Sequence, residues 1–155
     1  MLLRIDDRLI HAQVVVGWCS VLNPDRIVVA DDRVSSCDWD KNLYLTAAPP
    51  PIKVSILSLK EAVDQINGGV FKTENIILLV SGPRSVLGLM DMGLEVDEVN
   101  VGGLHYSEGK ERVFENVYLD EEDRKALREL VKKGVTLEAR ALPEDESVIL
   151  NSRVV

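Results

Sequence analysis

Basic residues and thiols are scarce in this chain. Against 26 aspartates and glutamates stand 18 lysines and arginines, a formal net charge of −8 over 155 residues. A non-specific grip on phosphate backbones needs the opposite sign, so nucleic acid is excluded as a main partner. The two cysteines, Cys19 and Cys37, form no CxxC pair, which excludes a disulfide framework and fits a reducing compartment. With two histidines, no HExxH and only the acidic pair Asp31-Asp32 as an oxygen donor set, no metal is expected. The longest purely apolar run, Ile76 to Val80, falls far short of the roughly 18 residues that span a bilayer. Met1-Leu2-Leu3 is too brief for a signal peptide, so a soluble protein with nothing to cleave is expected.

What is present is the composition of an ordinary globular domain, 46% hydrophobic and 28% charged. A chain of this size buries roughly 70% of its unfolded surface and holds a core without staples. Short β-branched runs alternate with longer amphipathic stretches, the pattern of βαβ units. Strands are expected at Leu2 to Ile5, Arg26 to Ala30, Lys53 to Leu57, Asn75 to Val80, Glu98 to Val101, Phe114 to Leu119 and Thr136 to Arg140. Helices are expected at Ile10 to Leu22, Cys37 to Ala47, Leu59 to Asn67, Arg84 to Met92 and Glu121 to Lys133. Ser58 with Glu61 reads as a capping box, and Asn67-Gly68-Gly69 supplies a left-handed stop. The acidic start and basic end of the last helix complement its macrodipole, so that charge run is structural. The fold expected is a single α/β domain over residues 1–143: three layers, an open twisted and mainly parallel sheet, helices on both faces. Residues 144–155 are expected as a tail or an added edge strand.

In such a sheet, ligands gather outside the carboxyl ends of the strands. After the first strand come Asp6, Asp7, Arg8, His11 and Gln13; after the second, Asp31-Asp32; after the fourth, Ser81 and Arg84; after the fifth, Gly102-Gly103-Leu104-His105-Tyr106. An imidazole with an ordinary pKa of about 6.5 is mostly neutral at pH 7 and keeps a lone pair, so His11 can attack a phosphoryl group. Arg8 and the N–H groups of the helix start would neutralise the incoming charge. Aimed at that phosphate, Asp6 and Asp7 would repel it; their role is instead to orient Arg8, Arg4 or the His11 ring, against the plainer reading of strand-end turn residues. Gln13 hydrogen-bonds phosphate or caps the loop. Asp31, Ser81 and Arg84 are candidates to line the same cleft. His105 suits a packing or hydrogen-bonding role with Tyr106, and Trp18 and Trp39 suit core or interface packing.

Other chemistries fail on spacing. The first loop has no glycine before Gly17, so GxGxxG is absent, and no GxxxxGK[ST] occurs. A phosphoaspartate switch lacks its acceptor, because Leu57 and Ser58 occupy the end of the third strand. Neither cysteine sits in an activating loop.

The run Arg4-Ile5-Asp6-Asp7-Arg8-Leu9-Ile10-His11-Ala12-Gln13-Val14 resembles the active-site loop of IIB components of the mannose/fructose/sorbose family of the bacterial sugar phosphotransferase system (PTS). The resemblance continues through Asp25 to Asp32, Ala47-Ala48-Pro49-Pro50 and Asn100 to Tyr106, in the family's order, up to about Pro143. It implies a cytoplasmic phosphocarrier, peripheral to the inner face of the membrane and working without cofactor. Phosphate would pass from phosphoenolpyruvate through enzyme I, HPr and a IIA component to His11, then to a sugar entering through membrane IIC and IID subunits. The resemblance also implies that the phosphate sits on the Nδ1 atom of His11, with Arg8 stabilising it. A regulatory phosphoacceptor that signals without transporting sugar is the alternative. The chain departs from the family at Ala12, where glycine is usual, and a Cβ there is expected to restrict positive φ and narrow the phosphate's approach. With no IIA domain in the sequence, the donor is expected as a separate protein. An apolar edge strand or the tail offers a route to a homo-oligomer.

Overall fold

In the computed structural model, which describes residues 1–154, the expected α/β architecture is present. A seven-stranded sheet runs in the order β3-β2-β4-β1-β5-β8-β9. Its strands are β1 (Leu2–Asp6), β2 (Arg26–Ala30), β3 (Lys53–Leu57), β4 (Ile76–Val80), β5 (Glu98–Gly103), β8 (Thr136–Ala139) and β9 (Val148–Ile149). All pairings are parallel except β8 with β9. The central β4, Ile-Ile-Leu-Leu-Val, is buried along its whole length, as a strand covered on both faces should be.

Two cores result. On one face Leu3, Ile5, Val28, Leu78, Val80, Val99 and Leu137 meet residues of α4 (Leu59–Asn67), α5 (Pro83–Asp91) and α6 (Glu121–Lys132). On the other, Ile27, Val29, Ile77 and Leu79 meet Val14, Trp18, Cys19 and Val34. The latter belong to a π-helical segment Gln13–Trp18, to α1 (Cys19–Leu22) that continues it, and to α2 (Asp32–Ser36); α3 (Asp38–Leu45) packs beside α2. Connections from β1 to β2 and from β2 to β3 use one face, while those toward β4, β5 and β8 use the other. The chain therefore winds both ways from the middle of the sheet, and the loops after β1 and β5 part at a topological switch point.

Several expected bounds shift for local reasons. The single strand Phe114 to Leu119 is a hairpin of β6 (Glu111–Phe114) and β7 (Val117–Leu119), because Asn116 takes a left-handed φ of 60° and turns the chain. The helix expected at Cys37 to Ala47 is α3, shortened to Asp38–Leu45, and an extended Cys37 separates it from α2, a short helix that was not expected. The helix from Ile10 starts later, at the π-helical segment. Trp18 is buried, whereas Trp39 is exposed on α3. Within 144–154, β9 adds an antiparallel edge and α7 (Asn151–Val154) follows; residue 155 lies outside the described residues. Among the described residues no helix is long and apolar enough to cross a membrane.

Candidate functional site

The loop after β1 is built by a tight turn. The Leu9 backbone N–H donates to the Asp6 carbonyl at 3.0 Å, and Leu9 takes φ 57°. A left-handed leucine costs about 1–2 kcal/mol. Burial of its side chain with Ile10 in the second core offsets that cost, since a fully buried leucine is worth about 1.5–3 kcal/mol. With Leu9 and Ile10 pinned inward, the residues on either side, Arg8 and His11, are turned toward the sheet edge. The Tyr44 hydroxyl of α3 donates to the Arg8 carbonyl at 3.4 Å and steadies the turn.

Asp6 is wholly buried and organises the loop. Its Oδ2 lies 2.9 Å from Arg4 Nη2 and 2.9 Å from His11 Nε2. Its Oδ1 accepts the Arg8 backbone N–H at 3.2 Å and stands 3.6 Å from Arg8 Nε. Burial alone would push this carboxyl up; the contact with His11 and the Arg4 charge outweigh it and hold the group below the ordinary carboxylate value. The His11–Asp6 contact is close but does not have the geometry of a linear hydrogen bond. Nε2 has no other partner and no exposure. On the other side of the ring, Nδ1 accepts the Gln13 backbone N–H at 3.4 Å. A carboxylate beside Nε2 and an N–H donor at Nδ1 both favour the tautomer with the proton on Nε2 and the lone pair on Nδ1. The His11 side chain is 14% exposed. Arg8 is half exposed, and its Nη2 donates to Gln13 Oε1 at 2.9 Å, so the guanidinium is held beside the histidine's own loop.

Beneath the loop lies a row of polar side chains. Arg4, Asn100 and Glu138 occupy matching positions on β1, β5 and β8. Arg4 Nη1 donates to Asn100 Oδ1 at 2.6 Å and to the Arg140 carbonyl at 3.0 Å, and Asn100 Nδ2 donates to Glu138 Oε2 at 3.3 Å. The Trp18 ring centroid is 5.4 Å from the Arg4 guanidinium, and the Trp18 indole N–H donates to the Ala141 carbonyl at 2.8 Å, closing the chain after β8 over this face. Burial lowers the Arg4 guanidinium from its ordinary value, with Asp6 opposing.

Asp7 points to the neighbouring loop, where its carboxylate contacts His105 Nδ1 at 2.5 Å and accepts the His105 backbone N–H at 2.7 Å. The chain's two histidines are thus held by consecutive aspartates. Tyr106 stacks edge-on against Tyr118 instead of engaging His105's ring.

The structure thus brings together Asp6, Asp7, Arg8, His11 and Gln13. It uses Asp31 differently, as the cap of α2, accepting the Val34 N–H at 2.8 Å. Arg84 pairs with Glu122 at 3.4 Å. Among the described residues no hydrogen bond or ion pair joins Asp31, Ser81 or Arg84 to the His11 loop. Ala12 has φ −55°, so no positive φ is required where the glycine is usual, contrary to expectation. Sequence reasoning missed Asn100, Glu138 and Tyr44. The first two carried a signal: Leu3-Arg4-Ile5, Val99-Asn100-Val101 and Leu137-Glu138-Ala139 each set one polar residue between apolar neighbours.

Comparison with known proteins bears on the family and the fold. A family model described as PTS system sorbose subfamily IIB component matches residues 1–154. The chain is 37% identical over 153 residues to the sorbose-specific EIIB component of Klebsiella pneumoniae, covering 99% of this chain and 93% of that protein. It is 34% identical over 147 residues to the fructose-specific EIIB component of Bacillus subtilis, covering 95% of this chain and 90% of that one. The crystal structure of the IIBSor domain of the Klebsiella pneumoniae sorbose permease superposes with a TM-score of 0.91 at 37% identity, covering 99% of this chain and 94% of that one.

Proposed function

The chain belongs to the sorbose subfamily of PTS IIB components, and from that premise we propose that it is a cytoplasmic phosphocarrier in sugar transport, with His11 as the phosphoacceptor. It takes a phosphoryl group from a IIA component and passes it to a sugar entering through IIC and IID subunits. The observation that carries the choice of residue and atom is the Asp6 contact: with Nε2 buried against a carboxylate, Nδ1 is the ring nitrogen left with a lone pair.

In the accepting step Nδ1 forms a bond to phosphorus as the donor's P–N bond breaks, and the donor nitrogen recovers its electron pair. The phosphorylated ring retains the Nε2 proton and so carries a positive charge, which the Asp6 carboxylate balances. The Gln13 backbone N–H, which leaves Nδ1 as that atom bonds phosphorus, and Arg8 then meet the phosphoryl oxygens, with the Gln13 side chain holding Arg8. Asp7 steadies the loop from the side. Positioning and charge neutralisation supply the catalysis.

The test is to incubate the protein with phosphoenolpyruvate, enzyme I, HPr and a cognate IIA component. The wild type gains an acid-labile, base-stable phosphate and His11→Ala does not. Normal labelling of His11→Ala would refute the assignment. Labelling without delivery to any sugar in membranes carrying IIC and IID would support the regulatory role.

A further inference from the structure

Arg4 does not touch the phosphoacceptor ring and cannot reach solvent, yet it donates three hydrogen bonds beneath the site, one of them to Asp6. We infer that Arg4 is a positioning residue for phosphoryl transfer: from inside the sheet it fixes the Asp6 carboxylate, which in turn fixes the tautomer and orientation of His11. The inference rests on His11 being the acceptor.

A guanidinium inside a sheet is not a cheap way to fill space, since well-packed apolar residues of similar volume are commonly as stabilising. Here its two terminal nitrogens and one face are specified, while the buried Nε has no partner among the described residues. Nη1 is held by Asn100 at 2.6 Å and the Arg140 carbonyl at 3.0 Å, and the Trp18 ring covers a face. Gly102 completes the cradle: a Cβ at that position would fall 1.9 Å from Arg4 Cζ, so a side chain there cannot coexist with the guanidinium where it lies. What this anchoring leaves for Nη2 is a single task, the 2.9 Å bond to Asp6 Oδ2. That oxygen is also the one 2.9 Å from His11 Nε2.

The chemistry needs this arrangement. Asp6 must be anionic when the ring becomes positively charged, and it must sit on the Nε2 side so that Nδ1 stays unprotonated. The titratable and charged groups facing Asp6 are Arg4 from its own strand and Arg8 and His11 from the loop; His105 stands across Gly103, and Glu138 lies behind Asn100. Without Arg4, the buried carboxylate would rely on the His11 contact and on Arg8, which is 3.6 Å away and half exposed. Asp6 would then take up a proton more readily, lose its grip on Nε2–H and let the other tautomer form.

The experiment follows the ring nitrogens of His11 by 15N NMR and the phosphorylation rate against pH, in the wild type and in Arg4→Gln, Arg4→Lys and Asn100→Ala. The wild type shows Nε2 protonated and Nδ1 bare. Arg4→Gln mixes the tautomers, slows phosphorylation about 10- to 100-fold and moves the acid limb of the rate profile to higher pH. Arg4→Lys, which restores the charge without the planar fork, recovers part of both. Asn100→Ala keeps Arg4 and every titratable group, and gives the same change in weaker form if Arg4→Gln does not fold. A residue that only holds the fold would lower stability and leave tautomer and acid limb unmoved. That result, in either variant, overturns the inference, as does a wild-type ring protonated on Nδ1. A wild type that accepts no phosphate would instead sink the function reading, while the ring signals would still report on Arg4.

Discussion

One carboxylate oxygen of Asp7 lies 2.5 Å from His105 Nδ1 while the other accepts the His105 backbone N–H at 2.7 Å, tying the β1 loop to the β5 loop at the point where the chain winds in opposite directions. The Asp7 backbone N–H adds a bond to the Gly103 carbonyl at 3.0 Å. The walls of the site therefore move together.

Removing that tie should loosen the two loops without unfolding the chain. The pair is partly exposed, so Asp7→Ala is expected to cost about 1 kcal/mol and lower Tm by about 2–4 °C. Asp7→Asn, whose amide oxygen can still accept the His105 N–H, should lose less. Hydrogen exchange at His105 is the sharper measurement: protection equal to wild type in Asp7→Ala would show that the contact holds nothing.

Asp6 should set the acid sensitivity of the fold. Its carboxyl is held low in the folded chain and returns to about 3.9 when unfolded. Its contribution is therefore complete above about pH 4 and is lost as the pH falls through the folded value. Asp6→Asn leaves the Arg4 guanidinium buried without its counterion and should cost about 3–5 kcal/mol at pH 7. Urea unfolding of both proteins down the pH scale checks this, the gap narrowing in acid. A gap independent of pH would place the effect in packing instead of charge.

The thiols should differ in reactivity. Burial pushes the Cys19 thiol up to about 11, which leaves little thiolate at neutral pH, whereas Cys37 is only partly buried. A thiol-specific chromogenic reagent should titrate one cysteine in the native protein and two in urea. Rapid reaction of both in the native state would contradict the packing of α1 against the sheet.

Much of this was legible in the chain because it is local. The Ser58–Glu61 capping box forms as read, Ser58 Oγ accepting the Glu61 N–H at 3.1 Å and Glu61 Oε2 the Ser58 N–H at 2.8 Å, and Gly69 takes the left-handed stop with φ 79°. The loop Asp6 to Gln13 was readable because its chemistry is contiguous in sequence. What was hidden depends on which strands become neighbours. Arg4 and Asn100 meet only because β1 lies beside β5, a pairing that a sequence separation of 96 does not announce. Asp31 and Arg84 stand at the correct edge by topology, yet nearer partners, the Val34 N–H and Glu122, engage them first. The hairpin at Asn116 was concealed by an apolar run on both sides of the turn.

Ala12 gives the last prediction. The family resemblance implies glycine at this position, and a methyl group there is expected to hinder a left-handed backbone or the phosphate. The residue instead has φ −55° and ψ −41°, right-handed values, directly before the π-helical segment, and its side chain is exposed. A Cβ is compatible with that conformation and reduces the freedom of the unfolded chain. Ala12→Gly should therefore lower stability by about 0.5–1 kcal/mol and leave the rate of phosphorylation by the IIA donor as it is. A gain in that rate would mean that the loop passes through a left-handed conformation at residue 12 during transfer, and that the alanine hinders it.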